Sequence, residues 1–212
     1  MRPSRNCVRP VIVSLFLIAI GSPAAAQGVP RGEFSAGWKL LRAMDAFLDA
    51  DETIPAGWYA DVAGNVNDII AIAVEVAGAY KSFGQTVTVP FGQAPVPGLP
   101  VPVNVTADVK LHTFMGGIRF GQRNRRVAPF GEVLFGVAHG SAGIEGSATV
   151  LGRTISVRES ESSNEFAFDV GAGINIKFTD RIGMRVTGSY LRVGAGDGGN
   201  GLRLGAGIVV PF

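Results

Sequence analysis

The chain has 212 residues, 30 of them glycine, and is 47% hydrophobic against 17% charged. Its mean hydropathy is positive, yet no apolar run approaches the roughly 20 residues that a membrane-spanning helix requires. The longest run, 69–80, is broken by Glu75. High hydropathy without a spanning helix is the composition of a sheet that alternates between lipid and lumen.

The first 26 residues read as a cleaved secretory signal peptide. Arg2, Arg5 and Arg9 make a basic start, an apolar run covers 11–20, and Ala24 and Ala26 fit the small-residue rule for cleavage before Gln27. The apolar run is too short for an uncleaved anchor. Cys7, the single cysteine, lies in this segment. The remaining domain, 27–212, therefore has no thiol for a disulfide or a cysteine-based metal site. Loss of the three arginines turns the formal charge of +2 into −1, so the basic balance of the whole chain is no argument for a nucleic-acid partner.

Period-2 alternation then recurs to the last residue. Eight strands are expected, at 34–41, 57–66, 69–80, 105–121, 127–140, 164–178, 181–193 and 201–212. Most reach the 9–11 residues that a tilted strand needs to cross hydrocarbon. In the clearest, Phe166, Phe168, Val170, Ala172, Ile174, Ile176 and Phe178 share one face, with Glu165, Asp169 and Lys177 on the other. The connections alternate. Segments 65–68, 122–126 and 179–180 are tight turns, 43–56, 81–104 and 141–163 are long loops, and 194–200 is intermediate. Short turns on the periplasmic side and long loops outside are the rhythm of an outer-membrane barrel. Aromatics fall at two levels, with Phe34, Phe120, Phe178 and Phe212 at the lower rim and Trp58, Tyr80, Phe166 and Tyr190 at the upper, as interfacial belts do. A short helical turn is expected near 44–48. The apolar parity shifts around Met115, Gly116 and Gly117, which predicts a bulge at the glycine pair. Arg119 is then either inward or snorkelling at the lower rim.

Placing the apolar parity outward turns Asp61, Glu75, Lys110, Glu132, Asp169, Arg185 and Arg203 inward, and His112 with them. Such charges must pair or be wetted. In a barrel of eight strands, side chains fill the lumen, so a salt-bridge network that plugs it is the first reading and a narrow, gated ion path the second. No catalytic site is assigned. Neither His112 nor His139 makes a recognised signature with a serine and an acid, and no cofactor or metal is called for. The acidic residues Asp45, Asp49, Asp51 and Glu52 in the first long loop, and the charged, serine-rich third loop with Arg153, Arg158, Glu159 and Glu161, read as solvated loop surface. Arg123, Arg125 and Arg126 sit in a periplasmic turn, either solvated or facing anionic headgroups.

The chain resembles the small outer-membrane β-barrel proteins of the OmpA/OmpX type, over roughly 32–212. The likeness rests on the signal peptide, the eight-strand rhythm, and the terminal Gly207, Val210 and Phe212, which look like the C-terminal signal read by the barrel-assembly machinery. The position two before Gly207 is Gly205 where that signal usually has a polar residue. The resemblance implies an all-β, eight-stranded antiparallel up-and-down transmembrane barrel in the outer membrane of a Gram-negative-type bacterium, in contact with lipid and lipopolysaccharide. The function expected is a structural or surface-interaction role, in adhesion or envelope integrity. A narrow porin-like channel is the alternative, and a lipid A-modifying enzyme a distant third. A soluble lipocalin-like barrel would instead be released without detergent.

Overall fold

The computed structural model describes residues 30–44, 53–89, 101–123, 125–150, 153–194 and 199–212. Its elements are β1 (Gly32–Ala43), β2 (Thr53–Ile54), β3 (Ala56–Asn65), β4 (Ile70–Val89), β5 (Val101–Gly121), β6 (Val127–Val150), β7 (Arg153–Lys177), β8 (Gly183–Val193) and β9 (Asn200–Pro211). All pairings between chain neighbours are antiparallel, and β1 also pairs β9 along its whole length. The sheet is therefore closed: eight strands form the barrel, and the two-residue β2 lies against the outer end of β1. Closure removes the open edge that lipid would not tolerate. The seam is sealed at the bottom by reciprocal backbone hydrogen bonds between Gly32 and Phe212, at 3.0 and 2.9 Å.

The alternation in sequence becomes two surfaces. Along β8 every second residue is buried and those between are exposed or half-exposed. The outside carries Ile72, Val74, Phe114, Ile118, Ile174, Leu204 and Ile208, all exposed. An apolar belt of this extent is untenable in water and is the lipid-facing band of a membrane barrel. Phe34, Phe120, Phe178 and Phe212 are exposed at the lower ends of their strands, and Trp58, Phe166 and Tyr190 at the upper. Tyr80 joins the upper level, its hydroxyl accepting from Trp58 Nε1 at 3.0 Å.

Two sequence expectations are corrected, and a third is not reached. The segments 81–104 and 141–163 are largely not loops: β4 runs on to Val89, β5 begins at Val101, β6 runs to Val150 and β7 begins at Arg153. Their ladders continue unbroken past the upper belt, so these two hairpins stand out beyond the barrel. The bulge at Gly116 and Gly117 is absent, because the register from Ile70↔Phe120 to Val89↔Val101 never slips. The turn expected near 44–48 lies, beyond Met44, outside the described residues.

Interstrand distance is set by glycine where the inner wall tightens. A side chain at Gly117 would strike the Val133 carbonyl, and one at Gly136 the Phe114 carbonyl. Both positions let β5 and β6 approach closely.

Candidate functional site

The lumen has three levels. The lowest is an ionic cluster centred on two arginines. Arg119 donates to Glu132 from Nε and Nη2 (2.9 and 2.8 Å), and from Nη1 to Glu33 (2.7 Å) and Asp61 (3.1 Å). Arg185 donates to both Asp61 oxygens (2.8 and 2.9 Å), to Glu33 (2.6 Å), and through Nε to the Asn175 amide oxygen (2.8 Å). Both guanidinium groups lie over the Phe130 ring, at 4.9 and 5.0 Å from its centre. Gly173 leaves the space that this ring occupies. Every member is buried, Arg185 completely. Three carboxylates thus share two fork-shaped cations, a geometry that a guanidinium supports and an ammonium does not. Below the cluster, Arg123 is buried too and donates to the Asn67 carbonyl.

The second level sits above. Lys39 Nζ is 2.6 Å from Glu75, and Arg203 bonds the other oxygen of the same carboxylate. Arg203 Nε forms an ion pair with Asp169 at 3.2 Å, and Asp169 accepts a hydrogen bond from the Ser189 hydroxyl. Lys39 stands 4.9 Å over the Tyr59 ring, whose hydroxyl meets Ser35 at 3.0 Å.

The third level is an apolar cup at the outer end. It encloses about 700 Å³ and is lined by residues including Leu41, Ile54, Val109, Leu111, Leu191 and Val193.

Of the eight residues expected to point inward, the structure brings six into the lumen: Asp61, Glu75, Glu132, Asp169, Arg185 and Arg203. Lys110 is corrected: it is exposed, on the face opposite the buried Met115 and Arg119. His112 shares that outer face, its Nε2 at 2.9 Å from the Tyr80 hydroxyl. The error has one cause. Apolar parity points Val109 and Leu111 toward lipid, whereas at their level they line the cup. The head of Arg203 lies beneath the cup, since it reaches Glu75 and Asp169.

Sequence reasoning missed Glu33 and Lys39 and left Arg119 undecided. The signal for the first two was present in β1, where Phe34, Ala36, Trp38 and Leu40 alternate with Glu33, Ser35 and Lys39. For Arg119 it was the shared parity with Met115, opposite to Phe114, Ile118 and Phe120. Of the terminal signature, Val210 and Phe212 are exposed, while Gly207 faces Ala36 and the Tyr59 hydroxyl. His139 bonds Asn164 through Nδ1 at 2.8 Å.

A closed barrel with a lipid-facing belt and an ion-paired interior defines an integral outer-membrane β-barrel protein. The chain belongs to the outer membrane protein beta-barrel domain family, which matches residues 12–210. Its structure is similar to that of Ail, the attachment invasion locus protein of Yersinia pestis, solved in complex with the heparin analogue sucrose octasulfate. The identity is 21% and the TM-score 0.54, covering 85% of this chain and 99% of that one. It is also similar to Neisserial surface protein A (15% identity, TM-score 0.51, 88% of this chain and 100% of that one). Among curated proteins none matches the chain. The protein is thus a Gram-negative outer-membrane barrel.

Proposed function

We propose that the protein is a membrane-anchored surface-interaction protein whose lumen is closed by ion pairs and whose outer hairpins make the contacts. The observation that carries this reading is the length difference around the barrel. Strands β4 to β7 have 20, 21, 24 and 25 residues, whereas β1, β3, β8 and β9 have 10 to 12. Among the described residues, β3 accompanies β4 only to Tyr80, and β8 accompanies β7 only to Ala167. The remainder is a four-stranded sheet clear of the lipid, with sheet edges along 81–89 of β4 and 153–166 of β7. Edges of this kind present backbone donors and acceptors to an added strand. Its surface mixes Arg158, Glu145, Glu159 and Glu161 with serines, which suits a polar partner outside the cell.

Two arms test the proposal. In planar bilayers the refolded protein is expected to give no reproducible openings; openings that vanish in Glu75→Ala or Arg185→Ala would sink the closed-lumen half. On cells, shortening the β6–β7 hairpin by removing 143–160 is expected to abolish binding to host cells or to partner envelope while leaving the protein in the outer membrane. Undiminished binding would sink the other half.

A narrow channel is the second reading. It is favoured by a void of about 20 Å³ beside Lys39, Thr113 and Arg203, and by Asp169 Oδ1, buried without a hydrogen-bond partner. That volume suits about one water. No catalysis is proposed. His112 and His139 bond Tyr80 and Asn164 rather than a serine with an acid, and unchanged lipid A after incubation, read by mass spectrometry, is the expected result. Residues 1–26 as a cleaved signal peptide, and Gly207, Val210 and Phe212 as the signal for the assembly machinery, are part of the same proposal.

A further inference from the structure

The cup at the outer end of the lumen takes no part in the ion pairs below it and is distinct from the sheet edges above it. Its volume, about 700 Å³, lies within the roughly 300–1,000 Å³ of small-molecule sites. Its apolar lining comes from four elements spaced around the barrel: Leu41 of β1, Ile54 of β2, Val109 and Leu111 of β5, and Leu191 and Val193 of β8. The polar part of the lining is one stretch of β7, with Glu161 and Ser163 on the face that turns Ala167 and Asp169 inward. A cavity lined mostly by apolar side chains, with its hydrogen-bonding groups gathered on one strand, selects a ligand with an apolar body and a single polar end.

The floor narrows the choice. Glu75 is engaged by Lys39 and Arg203, and Arg203 by Asp169. The two cations balance the two carboxylates, and a bare ion laid against the apolar lining would carry an uncompensated desolvation cost. The void beneath Leu111 and Leu191 is about 20 Å³, enough for about one water and too small for a carbon chain. A ligand therefore stops in the cup. Its direction of arrival follows from the lining, because residues of the protruding strands (161–163 of β7 and 140–142 of β6) form the upper wall. The cup opens above the lipid-facing belt.

We infer that the cup is a binding site for a neutral single-chain amphiphile taken from the external medium, its alkyl chain against Leu41, Leu111 and Leu191 and its hydroxyl head at Ser163 and Glu161. This site does not depend on the sheet edges, and a protein with no surface partner would still have it.

The test is methyl NMR of the full mature chain in lipid nanodiscs, with labelled Ile, Leu and Val methyls and decanol as the probe. Saturable shifts are expected at Leu41, Ile54, Val109, Leu111, Leu191 and Val193. Lipid-facing Ile72, Val74 and Leu204 are expected to shift only in proportion to the decanol dissolved in the bilayer. Leu191→Asp is expected to weaken the saturable binding by about tenfold or more, the equivalent of at least ~1.4 kcal/mol. Val193→Trp, which fills the cup without adding charge, should remove it while lipid-facing spectra stay unchanged. Cup methyls that follow the lipid-facing ones, or saturation that survives both variants, would overturn the inference. So would cup methyls that already contact nanodisc acyl chains before decanol is added. Methyls silent to decanol but shifted by Phe47→Ser would also overturn it, by identifying the chain's own segment 45–52 as the occupant.

Discussion

The lower lumen and the outer cup are made by the same strands with opposite chemistry. Below, β5 turns Arg119 inward and Phe114, Ile118 and Phe120 outward; above, it turns Leu111 inward and Lys110 outward. The backbone register does not change between them. Strand β8 does the same, from Arg185 in and Val186 out to Leu191 in and Arg192 out, and β1 passes from Lys39 in and Trp38 out to Leu41 in and Arg42 out. In each case the inversion occurs near the upper aromatic belt. A strand's outer face is apolar only as far as lipid covers it. Beyond that level the outside meets water, and the apolar side chains are free to turn into the cavity.

Perturbations that separate the two regions sharpen this comparison. The largest effect is expected at the seam. Deleting Phe212 removes the closing pair of backbone bonds to Gly32 and should reduce outer-membrane levels on immunoblots of membrane fractions far more than shortening an outer hairpin does; equal levels would contradict it. Next comes Arg119→Leu, which leaves Glu33, Asp61 and Glu132 short of a cation and should lower unfolding stability in urea by about 3–5 kcal/mol. Val74→Arg places a cation on the lipid face beside Val62 and Gly116 and should cost about 2–4 kcal/mol in the same titration. Lys39→Met follows at about 1–3 kcal/mol, because Glu75 keeps Arg203. Smallest is Val157→Arg, on the exposed part of β7, expected within about 0.5 kcal/mol of the parent. A large effect there, or none at Val74, would erase the distinction between the two levels.

Much of the barrel was legible in the chain. The eight strands, the tight turns and six inward charges are local consequences of period-2 alternation, and the run from Phe166 to Phe178 needs no partner to announce its lipid face. Glu33 and Lys39 were legible as well, in the alternation of β1. The upper half was not. On β5 the change of apolar parity looked like a bulge at Gly116 and Gly117, because a sequence records which residues are apolar but not what surrounds them. The outer strands looked like loops for a related reason. Residues such as Arg158, Glu159 and Ser160 lack the apolar alternation that a lipid-facing strand must have, although water-exposed pairing between β6 and β7 does not demand it.

By itself, then, the sequence determined the class of fold, the direction of the chain and the need for charges in the lumen, since each follows from alternation along one strand. Tertiary structure alone decided which charges meet. Arg185 finds Glu33 across 152 residues and Arg203 finds Glu75 across 128, distances over which no local pattern operates. It also decided where the lumen turns from ionic to apolar, because that boundary is a depth shared by several strands and is written in none of them singly.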